Sequence, residues 1–560
     1  MQNLMVPEQK GSFKSDWPFA IFIAAGVLCL YLLIAGRSTL WDRDEPRYAR
    51  ATVEMTESGN YLVPTFNGYT WFDKPILIYW LMSVPVRLFG AGEISCRFFG
   101  AAGTAITCLL TFFIGKRLFD AKVGLWAEII LATTLLMMFV GSAALVDGVL
   151  LPFIVGAMAV FIGWYRNRIR ILDVVVVGAL MGLGMLAKGP GGLLPVPVML
   201  IVLWFGRRSI GDFIRGFSGV AFSVVLATAI FLLWAIPANN ATGGEFVRIF
   251  IGRHVLSWAF HPLHSHGGSF FLYLPYYLPV IVMGFFPWTL YLPGAISVVV
   301  GGRAGVGKSR TLLTGWVASL LIIMTMISTK LPHYILFIWP ALALSVAATI
   351  VAEQKNTLTS RDRAWLRSGV WFFGTAAVLI AVGLIAGPWF VQVKSLRLYG
   401  AVSGIVLLAM AAVAIRFQLA EKFAHSAKTL LAGLLIFLIP ILFGVLPGLE
   451  QVKITPSISQ AINTNTAADV PVATYKFAEP SLNFYIGRKI EKLSDKEAVI
   501  SWANRQQAGV LIIPADVLAD IQHSTGPLPL YEIASKKGYN YSKGKEVKIL
   551  AMFRGKENPK

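Results

Sequence analysis

Apolar runs long enough to cross about 30 Å of hydrocarbon recur from Trp17 to about Leu446, and no other feature restricts the fold as much. In lipid every backbone N–H and C=O must be paired internally, so only helices or closed barrels span a bilayer. Barrel strands alternate apolar and polar residues, and these runs do not. The sequence therefore predicts an all-α polytopic membrane protein. A composition of 56% hydrophobic and 14% charged residues, with a mean hydropathy of +0.67, is not that of a soluble domain. No small-residue cleavage site follows the first run, 17–36, which reads as a retained helix. Cys29, Cys96 and Cys108 lie in or beside apolar segments, without disulfide or metal-type spacing. The formal charge of +20 is scattered over short loops. It reads as membrane topology, not as a nucleic-acid surface.

Basic loops at Lys116/Arg117/Lys122, Arg166/Arg168/Arg170, Arg207/Arg208/Arg215, Arg303/Lys308/Arg310, Arg361/Arg363/Arg367 and Arg416/Lys422/Lys428 orient the spans, because such loops stay cytoplasmic. Loops 41–97, 145–148, 188–190, 239–269 and 330–333 then face outward. About thirteen spans fit, provided that 75–90 lies along the outer surface; it holds Pro85 and Arg87 and is short for a span. From about Glu450 polar residues return. Short β-like runs at 470–475, 510–513 and 548–553 alternate with helix-like stretches such as 496–507, which predicts a soluble α/β domain over 450–560 on the outer face.

The outer loops carry the chemistry. Trp41-Asp42-Arg43-Asp44-Glu45-Pro46-Arg47-Tyr48-Ala49-Arg50 packs acids and arginines against the membrane surface. Asp44 or Glu45 can cap a helix with Pro46 in its first turn and Gly59 at its end, and Asp44 and Arg47 can share a face. The bland reading is a capped interfacial helix with a solvated charged face. Lys74 in Trp71-Phe72-Asp73-Lys74-Pro75 suits a phosphate site, or equally a snorkelling anchor. Asp147, between two apolar runs, is costly at that depth unless paired. Lys188, Lys330 and His333 break the positive-inside trend and offer cations to a phosphate or diphosphate. The loop 239–269 holds His254, His261, His264 and His266 without tight metal spacing; Asp73 with His254 is the one pair considered. Gly302-Arg303-Ala304-Gly305-Val306-Gly307-Lys308-Ser309 matches a nucleotide phosphate loop, but that motif needs a preceding β-strand. Here it stands between two spans.

In order along the chain, several segments resemble bacterial protein-mannosyltransferase-like enzymes, most nearly the lipid A aminoarabinose transferases. They are the 41–49 motif, Phe72-Asp73-Lys74-Pro75, Val146-Asp147, Gly184-Met185-Leu186-Ala187-Lys188-Gly189, Phe285-Phe286-Pro287-Trp288, Lys330-Leu331-Pro332-His333-Tyr334-Ile335-Leu336 and Pro480-Ser481-Leu482-Asn483-Phe484-Tyr485. The resemblance implies a GT-C fold with about thirteen spans and a periplasmic α/β domain over 450–560. It implies a multi-pass enzyme of the bacterial inner membrane, acting as a monomer. Such an enzyme moves a sugar from undecaprenyl phosphate to lipid A or another envelope acceptor. By position, Asp44 and Asp147 would be catalytic, while Glu45, Arg47, Lys74, Lys188, Lys330, His333 and Tyr334 would bind substrate. No cofactor is required; a divalent metal, zinc by ligand type, would sit at Asp73 and His254. Two positions depart from the aminoarabinose pattern: Asp73 stands where Glu is usual, and Val255-Leu256-Ser257-Trp258 lacks the arginine expected after the histidine. The alternatives are a protein O-mannosyltransferase-like enzyme, and a flippase for a polyprenyl-linked glycan.

Overall fold

A computed structural model describes residues 16–166, 169–206, 209–256, 275–302, 307–390, 393–540 and 544–555, with side chains undescribed at 165–166, 253–256 and 307–308. Among these residues ten helices are long and apolar enough to cross a membrane, from Trp17–Ala35 to Phe423–Glu450. Two broken pairs raise the number to twelve: Ala121–Ala132 with Leu135–Gly141, bent by 69°, and Tyr277–Gly284 with Trp288–Val300, bent by 111°. The remaining expected span falls on a shorter apolar helix, Pro195–Gly206, of 12 residues. Before it, the Gly189–Leu193 3-10 turn folds back on the preceding helix, and Gly192 packs on the backbone of Gly184 and Met185 where no Cβ fits.

The two breaks support each other. A broken helix exposes backbone groups that lipid cannot satisfy. Here the Leu135 amide donates to the Phe286 carbonyl at 3.0 Å, and the Trp288 indole N–H donates to the Thr133 hydroxyl at 2.8 Å.

Three of the six expected cytoplasmic loops are drawn together at one end of the bundle by ion pairs, with the start of the first helix: Lys116–Asp16 at 2.9 Å, Lys355–Asp120 at 2.7 Å and Arg367–Glu421 at 3.1 Å. At the opposite end the first loop forms a helix Asp44–Ser58, a hairpin of Thr65–Phe66 with Tyr69–Thr70, and a 13-residue apolar helix Leu77–Phe89. The nucleotide-loop match is preceded by helix Leu292–Val300, not by a strand, and 303–306 lie outside the described residues.

After Glu450 the chain builds a five-stranded sheet. Its order is Ile490–Lys492, Val472–Thr474, Gly509–Pro514, Lys545–Arg554, Tyr531–Asn540; the first two pairings are parallel and the last two antiparallel. Val510 and Ile512 pack on one face, Leu511 and Ile513 on the other, so both faces are covered. That explains why Gly509–Pro514 reads as a continuous apolar run.

Candidate active site

Helix Asp44–Ser58 begins where two acids and Pro46 fill its first turn, and it ends at Gly59 with φ 71°. Acids suit that end because the helix N-terminus carries partial positive charge. Asp44 pairs with Arg47 one turn on, at 3.6 Å, and remains about half exposed. The Arg47 guanidinium lies 5.8 Å from the Trp71 ring centre.

Its neighbour Glu45 is turned inward and is 3% exposed. Both its oxygens meet Arg97, at 2.9 and 2.6 Å, and they also accept the amides of Trp41 and Ala144 at 2.7 and 2.6 Å. Arg97 uses its remaining hydrogens on the carbonyls of Ala35, Ser38 and Thr39. Glu45 is thus an anchor, and the expectation that it binds substrate is corrected: its carboxylate is already committed on all sides.

Asp147 opens helix Val146–Arg166 and is 3% exposed. Three glycines set its position. A Cβ at Gly100 would stand 2.6 Å from the Ala143 carbonyl, and one at Gly103 would collide with the Gly148 carbonyl. Small residues allow this close helix approach in a membrane. The Asp147 carboxylate holds Lys188 Nζ at 2.7 Å and faces His333 Nε2 at 3.7 Å. Lys188 ends helix Ile171–Lys188, and Gly189, at φ 56°, turns the chain away. The Lys188 ammonium also lies 4.6 Å from the Tyr334 ring centre, a cation–π contact.

Lys74 enters from the loop before helix Leu77–Phe89. Its Nζ meets Asp73 at 3.0 Å, and Asp73 accepts from the Tyr48 hydroxyl at 3.4 Å. Burial disfavours the Lys74 ammonium, but the charges of Asp73, Asp44 and Asp147 outweigh it and hold its pKa above the usual lysine value. Burial likewise pushes the Tyr48 hydroxyl well up, so it stays a donor. Lys188 and His333 interact electrostatically with Asp44 and Lys74 as well as with Asp147. Asp44, Asp73, Lys74, Asp147, Lys188, His333 and Tyr334 therefore form one charged cluster.

Lys330 does not belong to it as a ligand. Its ammonium donates to the carbonyls of Met324, Thr325 and Ile327, closing the end of helix Gly307–Met326, and burial lowers its pKa. The expected phosphate contact is corrected to a helix C-terminal cap, for which cations are suited. The side chain of His254 lies outside the described residues. Asp73 is engaged by Lys74 and Tyr48, and among the described residues no group of three His, Cys, Asp or Glu is placed to hold a metal. The reading of the sequence missed Arg97, Tyr48 and Tyr485. Arg97 carried a signal, since an arginine at the outer end of an apolar run breaks the same charge trend that marked Lys188.

Residues 73–234 match the family model of dolichyl-phosphate-mannose-protein mannosyltransferase. An undecaprenyl phosphate-alpha-4-amino-4-deoxy-L-arabinose arabinosyl transferase of Sodalis glossinidius is 30% identical over 414 residues, 69% of this chain and 72% of that protein. The namesake of Enterobacter sp. is 28% identical over 66% of each chain, so the match spans about two thirds of that relative's length. ArnT from Cupriavidus metallidurans, crystallised with undecaprenyl phosphate, shares the fold with a TM-score of 0.74 at 19% identity, covering 95% of this chain and 98% of that one. The Archaeoglobus fulgidus oligosaccharyltransferase is a more distant fold relative, with a TM-score of 0.50 at 10% identity, covering 90% and 70%. A bundle that gathers acids and cations at one end, beside a small α/β domain, thus agrees with the sequence comparison: the chain belongs to the GT-C membrane glycosyltransferase family of the undecaprenyl phosphate-aminoarabinose arabinosyl transferases.

Proposed function

We propose that this protein transfers a sugar, 4-amino-4-deoxy-L-arabinose by the names of its relatives, from undecaprenyl phosphate to lipid A. The reaction takes place at the outer face of a bacterial inner membrane. The observation that carries this reading is the convergence of Asp44, Lys74, Asp147, Lys188 and Tyr334, from five separate parts of the chain, at the end of the bundle away from the basic loops. The chemistry follows from their charges. The sugar C1–O bond to the carrier phosphate breaks, and the electron pair leaves with that phosphate. Lys74 and Lys188 stand ready to stabilise the growing negative charge, with Arg47 and Tyr334 beside them; fixed cations act on charge that develops in the transition state. The acceptor oxygen attacks C1 from the opposite side, which inverts the configuration. An acceptor phosphate is already ionised and loses no proton, and the Asp44 carboxylate then steadies the positive charge that develops at C1. A hydroxyl acceptor gives its proton to Asp44. Asp147 holds Lys188 in place and yields it to the arriving phosphate.

Purified protein in detergent, given labelled undecaprenyl phosphoaminoarabinose and lipid A, should form labelled lipid A. Asp44→Asn and Asp147→Asn should form it far more slowly, while still inserting and purifying normally. Detergent abolishes compartments, so a flippase would give no product. Absence of product with the wild type overturns the reading.

A further inference from the structure

The segment that leads into Asp44 is held from outside itself. Arg97 binds the carbonyls of Ala35, Ser38 and Thr39, and Lys453 Nζ donates to the Thr39 carbonyl and hydroxyl, each at 2.9 Å. Of the next three residues, Leu40 and Asp42 are met by one short helix of the C-terminal domain, Pro480–Ile486. The Leu40 amide donates to the Tyr485 hydroxyl at 2.7 Å, and that hydroxyl passes its own hydrogen to Glu93 at 2.9 Å. Asp42 accepts the Ser481 amide at 2.8 Å and the Ser481 hydroxyl. Asp44 follows two residues later.

This short helix has two faces in one-turn register. Leu482 and Ile486, four apart, are buried in the core of the α/β domain. Ser481 and Tyr485, also four apart, point at the loop, and Tyr485 packs on the core of the membrane bundle. Side chains four apart lie on one face of a helix. The helix therefore bridges two cores, and what it grips is the approach to the candidate catalytic acid.

We propose that helix Pro480–Ile486 is a positioning element of the active site, in which Ser481 and Tyr485 fix residues 40–42 and so align Asp44 with Asp147 and Lys74. The inference rests on the sugar-transfer reading for its consequence in turnover. Neither residue touches substrate; each acts through the loop. Misplacement of a reacting group by about 1 Å costs on the order of 100-fold in rate. A soluble domain whose helix ends on the loop of a membrane active site has, on this account, a role in catalysis without chemistry of its own.

The test uses the full-length protein in detergent. Tyr485→Phe and Ser481→Ala each remove one hydroxyl. Each should lower kcat about 10-fold, and the pair about 100-fold, with donor KM within about twofold and Tm within a few degrees. Ser481→Thr, which keeps the hydroxyl, should restore most of the kcat lost in Ser481→Ala. Lys496→Ala, on the exposed side of the domain, is the unaffected control. Amide hydrogen exchange over residues 38–45 should quicken in both hydroxyl-deleted variants, whether or not turnover is observed. Unchanged kcat with unchanged exchange overturns the proposal, and so does a kcat loss that only tracks a loss of Tm. If the wild type transfers no sugar, the functional reading fails, and exchange alone then decides whether the helix holds the loop.

Discussion

Asp44 and Glu45 are adjacent carboxylates with opposite fates, and the difference lies in what each meets. Asp44 sees Arg47 and solvent, while Glu45 sees a buried guanidinium and two amides. We expect Asp44→Asn and Asp147→Asn to lower kcat by about 10²- to 10⁴-fold, the range for a lost proton-transfer or aligning group, in the labelled-donor assay. The Glu45–Arg97 pair behaves differently. Removing one partner leaves an uncompensated buried charge, so Arg97→Met should destabilise by about 3–5 kcal/mol, read as a fall in Tm. Adding Glu45→Leu to it should recover only part of that loss, since it removes the unpaired charge but leaves the Trp41 and Ala144 amides without their acceptor. The Asp44–Arg47 relation was legible because both sit on one local helix. The Glu45–Arg97 pairing was not, because the two lie 52 residues apart and only tertiary packing joins them. Lys330 was misread for a related reason: a cation near the membrane looks the same in sequence whether it faces a ligand or its own helix end.

Among the elements, helix Glu93–Leu118 sets the depth of Asp147. Gly100 and Gly103 admit the backbone of 143–148 where any side chain would push it away. Gly103→Ala should therefore shift Asp147 and Lys188 together and lower turnover by about 10- to 100-fold, with the protein still inserting in the membrane; kcat and detergent Tm measured side by side check this. The apolar runs announced their helices, since burial in lipid needs nothing but length and composition. Composition does not show that a Gly-rich turn at 189–193 precedes Pro195–Gly206, nor that two spans break. In the C-terminal domain Gly509–Pro514 was legible as a buried apolar strand. Ile490–Lys492 and Tyr531–Asn540 were not: they are edge strands, one of three residues and the other bearing Lys536, Lys537 and Gly538, and edge positions tolerate polar residues.

For the whole molecule, the joint between the membrane bundle and the soluble domain holds a titrating group. Burial pushes the Asp42 carboxyl up to about 6; Ser481 and Lys453 pull it down, and Glu479 adds to the rise. The folded state thus binds this proton more tightly than the unfolded chain. The stability it confers is present below about pH 4 and is lost as pH rises to about 6, at most about 3 kcal/mol. The difference in detergent Tm between wild type and Asp42→Asn should therefore change between pH 4 and pH 6.5 and be flat above it. The candidate site itself has a further property at this scale. Three of its acids each face a base: Asp44 with Arg47, Asp73 with Lys74, Asp147 with Lys188. Opposite charges so matched cancel within a few ångströms and project little potential into the surrounding water. On the proposed function, paired charges of this kind do not draw substrates in from solution. On that reading the two lipid substrates arrive sideways through the bilayer, and recognition begins only at contact, when a headgroup trades places with a resident carboxylate.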